Sequence, residues 1–100
     1  MQRATATIAT RDGSRLIKRL CTHWGHKFAV EFDESRGNVP FDADTRLRLD
    51  AGAESLVARL EAADDARLAQ MQGVVADHLQ RMARGETLQI DWIPGADAAR

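Results

Sequence analysis

Six short stretches in which apolar side chains alternate with others constrain this chain more than any other feature. ATATIAT (4–10) sets Ala4, Ala6 and Ile8 against Thr5, Thr7 and Ala9, and FAVEF (28–32) sets Phe28, Val30 and Phe32 against Ala29 and Glu31. VPFD brings Val39 and Phe41 to one side, TRLRL does the same with Leu47 and Leu49, and SLVARLEA with Leu56, Ala58 and Leu60. LQIDW closes the series with Leu88, Ile90 and Trp92. A period of two puts successive side chains on opposite faces of a strand, so each stretch predicts a strand with one buried face. Strands buried on both faces would instead be apolar throughout. The alternation therefore predicts a mostly antiparallel sheet, wet on one side and covered on the other.

Two segments of helical period supply the cover. Leu16, Ile17, Leu20, Cys21 and Trp24 form one stripe, introduced by Thr10 or Asp12 as N-cap and ended by Gly25. A longer helix, about Asp64 to about Arg84, carries Leu68, Met71, Val75, Leu79 and Met82, with Gly85 as its stop. The expected fold is thus α+β: a two-layer sandwich of order β-α-β-β-β-β-α-β, with two helices on one face of one sheet. DESRGN (33–38) and DAGAE (50–54) read as turns, and Pro40 predicts an edge strand, since it cannot donate to a ladder. Residues 1–100 read as a single domain, ordered over about 3–93, with a tail at 94–100 expected to fray.

Bulk properties exclude several functions. A net charge of -1 gives no large field to draw the chain to nucleic acid or anionic membrane. The expected wet face shows Glu31, Arg46, Arg48, Arg59, Gln89 and Asp91, which is mixed in sign and has no aromatic row for stacking bases. No apolar run is long enough to span a bilayer, and the first residues lack the apolar centre of a signal peptide. A lone cysteine cannot form an internal disulfide, so the expected location is cytoplasmic.

CTHWGH (21–26) gathers the one cysteine, two of three histidines and one of two tryptophans. On the helical wheel Cys21 and Trp24 fall within the apolar stripe, where a buried role explains both. His23 lies at the stripe's edge and His26 beyond Gly25. With Lys27 they form either a solvated basic helix end or a polar pocket. His78, beside the stripe of the long helix, can approach His23 or Cys21 if the helices lie side by side. Cys21, His23, His26 and His78 are then candidate ligands for zinc or ferrous iron, although Cys-x-His-x-x-His is not a structural zinc spacing. Cys21 and His23, two apart on a helix, point about 200° from each other and cannot act as nucleophile and base there. No phosphate loop, nucleophile elbow or dinucleotide fingerprint occurs.

LCTHWGHKFAVEF, Gly37, LRLDA (47–51), VVADHLQRMA (74–83) and LQIDW together resemble the bacterial family catalogued as domain of unknown function 2218. The likeness runs from about Thr5 to Trp92. Leu20, Cys21, His23, Trp24, His26, Lys27, Phe28 and His78 occupy its motif positions, while Met82 stands where the family usually has Phe, and RGETL replaces a more charged stretch. In some genomes such proteins are encoded near siderophore-interacting or iron-uptake proteins, which implies an iron link without assigning an activity. The expectation is a non-enzymatic accessory or ligand-binding module, with His23, His26, Lys27 and His78 as its pocket and Leu20, Trp24 and Phe28 as its core. Its partner would be an anionic small molecule, a ferric chelate or an iron-uptake protein. A homodimeric interaction domain is the alternative, and a metal- or thiol-dependent enzyme a third.

Overall fold

The computed structural model describes residues 1–95. The chain runs β1 (Gln2–Ala9), α1 (Gly13–Trp24), β2 (Glu31–Phe32), β3 (Arg36–Asp42), β4 (Thr45–Ala51), β5 (Ser55–Ala62), α2 (Asp65–Met82) and β6 (Ile93–Pro94). One sheet takes the order β2-β3-β4-β5-β1-β6, and every neighbouring pair is antiparallel. The α+β class and the order of elements are those expected from the alternation. α1 packs on β2, β3 and β4, α2 packs on β5 and β1, and the helices touch each other on that shared face.

The buried face is the one the period of two selects. Ala4, Ala6, Ile8, Val39, Leu47, Leu49, Leu56, Ala58, Leu60 and Ala62 meet the helical stripes of Leu16, Ile17, Leu20, Cys21, Trp24 and Leu68, Met71, Val75, Leu79. Each large side chain removed from water in this way contributes about 1.5–3 kcal/mol. Alanines in β1 and β5 keep that part of the sheet shallow beneath α2. Arg19 pins the helices from outside the core: its Nη1 donates at 2.8 Å to the Met82 carbonyl at the end of α2, which also accepts from the Arg84 amide at 3.2 Å.

Local chemistry accounts for where the elements begin and end. The Asp64 carboxylate accepts from the Arg67 amide at 2.8 Å, capping α2. Asp12 occupies the N-cap of α1 without a side-chain bond, and the Thr10 hydroxyl instead accepts the Asp12 amide at 3.1 Å. α1 does end at Gly25, but in a right-handed conformation (φ -63) rather than the left-handed cap expected. The Trp24 carbonyl then accepts from both Lys27 and Phe28, at 3.0 and 2.9 Å. Gly85, past α2, does adopt positive φ (79°).

Two expected strands are corrected. In FAVEF only Glu31–Phe32 pairs with the sheet, because the Phe28 amide is spent on α1 and the Val30 amide on the Phe28 carbonyl at 2.8 Å. Phe28 and Val30 still pack against the core, but Phe32 is exposed. LQIDW is no strand either. The Gln80 side chain accepts the Leu88 amide and donates to the Glu86 carbonyl, both at 2.8 Å, which ties this segment to α2. Leu88 is buried, and Ile90 and Trp92 pack against the core without a ladder. Pairing resumes at Ile93 and Pro94, opposite Thr5 and Ala4. Residues 94 and 95 of the expected tail are thus tied to β1, with the Gly95 amide on the Arg3 carbonyl at 2.8 Å. Residues 96–100 lie outside those described.

Candidate functional site

The end of α1 gathers the polar residues of CTHWGHK at the mouth of one cavity. Trp24 points into the core, 5% exposed, and Phe41 of β3 meets its ring edge-on at 4.9 Å. Phe28, brought back by the turn that closes on the Trp24 carbonyl, meets Phe41 in the same way at 5.1 Å. These rings, with Met71 and Val74 of α2, wall a cavity of about 640 Å³. His23, His26, Lys27 and His78 all line it.

His78 reaches the cavity because the helices lie side by side. Its ring centroid is 5.0 Å from that of Trp24 and 5.5 Å from that of His23. Its Nδ1 lies 2.8 Å from the Val74 carbonyl. A carbonyl only accepts, so Nδ1 carries the proton and Nε2 is left for a ligand. Lys27 Nζ stands 6.0 Å from the centre of the Phe28 ring, at the outer limit of cation–π attraction. Its charge is available at the rim.

Arg67 is a cavity residue that the sequence pattern did not single out. Its guanidinium donates to Gln70 Oε1 at 2.9 Å, Asp42 Oδ2 at 3.2 Å and Thr45 Oγ1 at 3.5 Å, and the three bonds fix its direction. A signal did exist: Arg67, Met71, Val74 and His78 recur at i, i+4, i+7 and i+11, about three turns along one helix face. Phe41 was expected only as an inward strand residue.

Cys21 does not join the histidines. It is fully buried, and its Sγ lies 2.9 Å from where a Cβ on Gly37 would stand. Loss of water raises its thiol from the ordinary 9.0 to about 11, so neither thiolate nor access is at hand. Among the described residues no three His, Cys, Asp or Glu side chains converge to hold an ion. The metal set Cys21, His23, His26 and His78 is therefore not assembled, because Cys21 faces β3 while the histidines face the cavity. A thiol mechanism loses its nucleophile for the same reason. What remains is a cationic, imidazole-bearing rim over an aromatic floor.

The family model described as "Uncharacterized protein conserved in bacteria", domain of unknown function 2218, matches residues 5–93. The chain belongs to this family. Among solved structures it is similar to the NMR structure of PA4090 from Pseudomonas aeruginosa, with 45% identity and a TM-score of 0.78. That likeness covers 93% of this chain and 96% of the other. Comparison with curated proteins gives no match. Family membership accords with the motif residues that carried the resemblance, and in this member those residues divide in two. Leu20, Cys21 and Trp24 are core, with Trp24 and the half-buried Phe28 also walling the cavity, whereas His23, His26, Lys27 and His78 are its polar lining.

Proposed function

We propose that this member of the domain of unknown function 2218 family is a non-enzymatic binding module. Its cavity at the end of α1 takes a small aromatic anion of the aryl-carboxylate or catecholate class, free or as a ferric chelate. One observation carries the reading: His23 of α1, His26 and Lys27 of the turn that follows it and His78 of α2 share one aromatic-walled cavity with Arg67. The volume of about 640 Å³ falls in the range of small-molecule sites, roughly 300–1,000 Å³. Phe28, Phe41 and Trp24 offer ring edges and faces to a planar ligand. Lys27 and Arg67 supply positive charge, and the imidazoles supply donors, which suit carboxylate or catecholate oxygens. The iron link implied by the family resemblance makes a ferric chelate, or an iron-uptake protein that delivers one, the fitting cargo or partner.

Titrating 15N-labelled protein with 2,3-dihydroxybenzoate, and separately with its ferric complex, tests this. Saturable shifts, or paramagnetic broadening with iron, are expected at His23, Lys27, Phe28, Phe41 and His78. Affinity is expected to fall at least about tenfold in His23→Ala/Lys27→Ala, the loss of one or two charge-assisted bonds. Spectra unchanged by either compound, or shifts spread evenly over the surface, would discard the reading. A response to the free acid alone would retain the site and remove iron from it.

A further inference from the structure

On the other face of the sheet, away from both helices, arginines crowd one small depression. Arg3, Arg46, Arg48 and Arg59 line a hollow of about 140 Å³ together with Thr5 and a single carboxylate, Glu61. The strand register builds it. Arg48 of β4 stands directly opposite Arg59 of β5, which stands opposite Thr5 of β1. In the next row, Arg46 is opposite Glu61 and Glu61 opposite Arg3. Like charges directly across a ladder repel, and of the pair Arg48 and Arg59 only Arg59 has a carboxylate partner, Asp50.

Two carboxylates beside the hollow are already engaged. Glu61 holds Arg3 Nε at 3.0 Å, and Asp50 holds Arg59 Nη1 at 2.7 Å and Arg36 Nε at 3.4 Å. Among the described residues, neither Arg46 nor Arg48 has a carboxylate within 4 Å. The ion pairs fix Arg59 and Arg3 at two sides of the hollow while the two neighbours on β4 keep open guanidinium forks. A guanidinium presents paired N–H groups at the spacing of two oxygens of one anion. The hollow is small and floored by backbone, and it has no aromatic side chain in its lining. That favours a compact oxyanion over a planar organic one. The net charge of -1 concealed this, because acids elsewhere on the surface cancel a local excess.

We infer that this hollow is a phosphoryl-binding site, in which Arg46, Arg48 and Arg59 hold inorganic phosphate or the phosphate of a small monoester. It is separate from the aromatic cavity and does not rest on that reading. The test is a 15N titration at constant ionic strength with inorganic phosphate and, in a second arm, glucose 6-phosphate. Saturable shifts at Thr5, Arg46, Arg48 and Arg59 are expected. They should weaken at least about tenfold in Arg46→Ala/Arg48→Ala, whose exposed side chains can be removed with the fold retained, as the dispersion of its spectrum checks. Tighter binding of the ester would name the source as a phosphorylated metabolite; tighter binding of inorganic phosphate would name the free ion. An equal response to chloride would overturn the inference, as would an unaltered titration in the double variant. Loss of the same shifts in His23→Ala would also overturn it, since it would place the anion in the other cavity.

Discussion

At Gly37 the sheet leaves no room for a side chain. A Cβ there would meet Cys21 Sγ at 2.9 Å and Ile17 Cγ2 at 3.3 Å, both in the packed core beneath α1. Gly37→Ala should destabilise the protein by about 1–3 kcal/mol through overpacking. Cys21→Ala removes the nearer atom, so Gly37→Ala/Cys21→Ala should cost less than the sum of the single changes. Denaturant unfolding of the four proteins measures that coupling, and strict additivity would show that the two sites do not share the space. The same thiol has a pH signature. Its folded pKa, about 11, lies above the ordinary 9.0, so above pH 9 the unfolded chain gives up a proton that the folded chain keeps. Stability from this group is therefore complete below pH 9 and is lost as pH rises toward 11, by on the order of 2–3 kcal/mol. Melting curves of wild type and Cys21→Ala should converge or cross over that interval. Native Cys21 should also label far more slowly than a free thiol.

The two helices and their hairpin neighbours fold for reasons that can be tested element by element. Trp24 anchors the end of α1 between Phe41 and His78, and Trp24→Ala should cost about 3–5 kcal/mol. Asp64→Ala removes the cap of α2 and should cost about 1 kcal/mol, mostly recovered by Asn. Acid acts on a different pair of elements. Asp33 accepts the Ser35 and Arg36 amides between β2 and β3, and Asp42 accepts the Asp44 amide between β3 and β4. Those bonds hold both carboxyls below the usual 3.8. Their contribution is present above that value and fades as pH falls through the folded pKa, so Asp33→Ala/Asp42→Ala should flatten the acid limb of a stability profile. β1, β4, β5 and both helical stripes were legible in the sequence because alternation or helical period coincides there with continuous hydrogen bonding. The same alternation misled at residues 28–30 and 88–92, for one shared reason. There the alternating apolar side chains do turn inward, but the Trp24 and Phe28 carbonyls take the Phe28 and Val30 amides, and the Gln80 side chain takes the Leu88 amide at the start of the second stretch.

The whole molecule presents two different surfaces on the two sides of one sheet. Helical spacing and the motif CTHWGHK made His23, His26, Lys27 and His78 legible as candidates, and all four line one cavity. Arg67 and Phe41 emerged only once α2 and β3 were placed against α1. The arginine hollow was less legible still, since it depends on which residue of β4 faces which residue of β5, and register is not written in any one strand. The alternation that buries Leu47, Leu49 and Leu60 turns Arg46, Arg48 and Arg59 the other way, so the backbone of the sheet separates the two proposed sites. They share no lining residue. Coupling between ligands requires an element with two arrangements that each ligand biases. The central strands β4, β5 and β1 are paired along most of their length, and they form a stiff partition rather than such an element. Phosphate should therefore leave the affinity for 2,3-dihydroxybenzoate unchanged within about twofold, the scatter of independent sites, roughly 0.3–0.5 kcal/mol. Calorimetric titration of one ligand with and without saturating amounts of the other checks this. A change of tenfold or more would mean that the sheet transmits, and that the two faces serve one function.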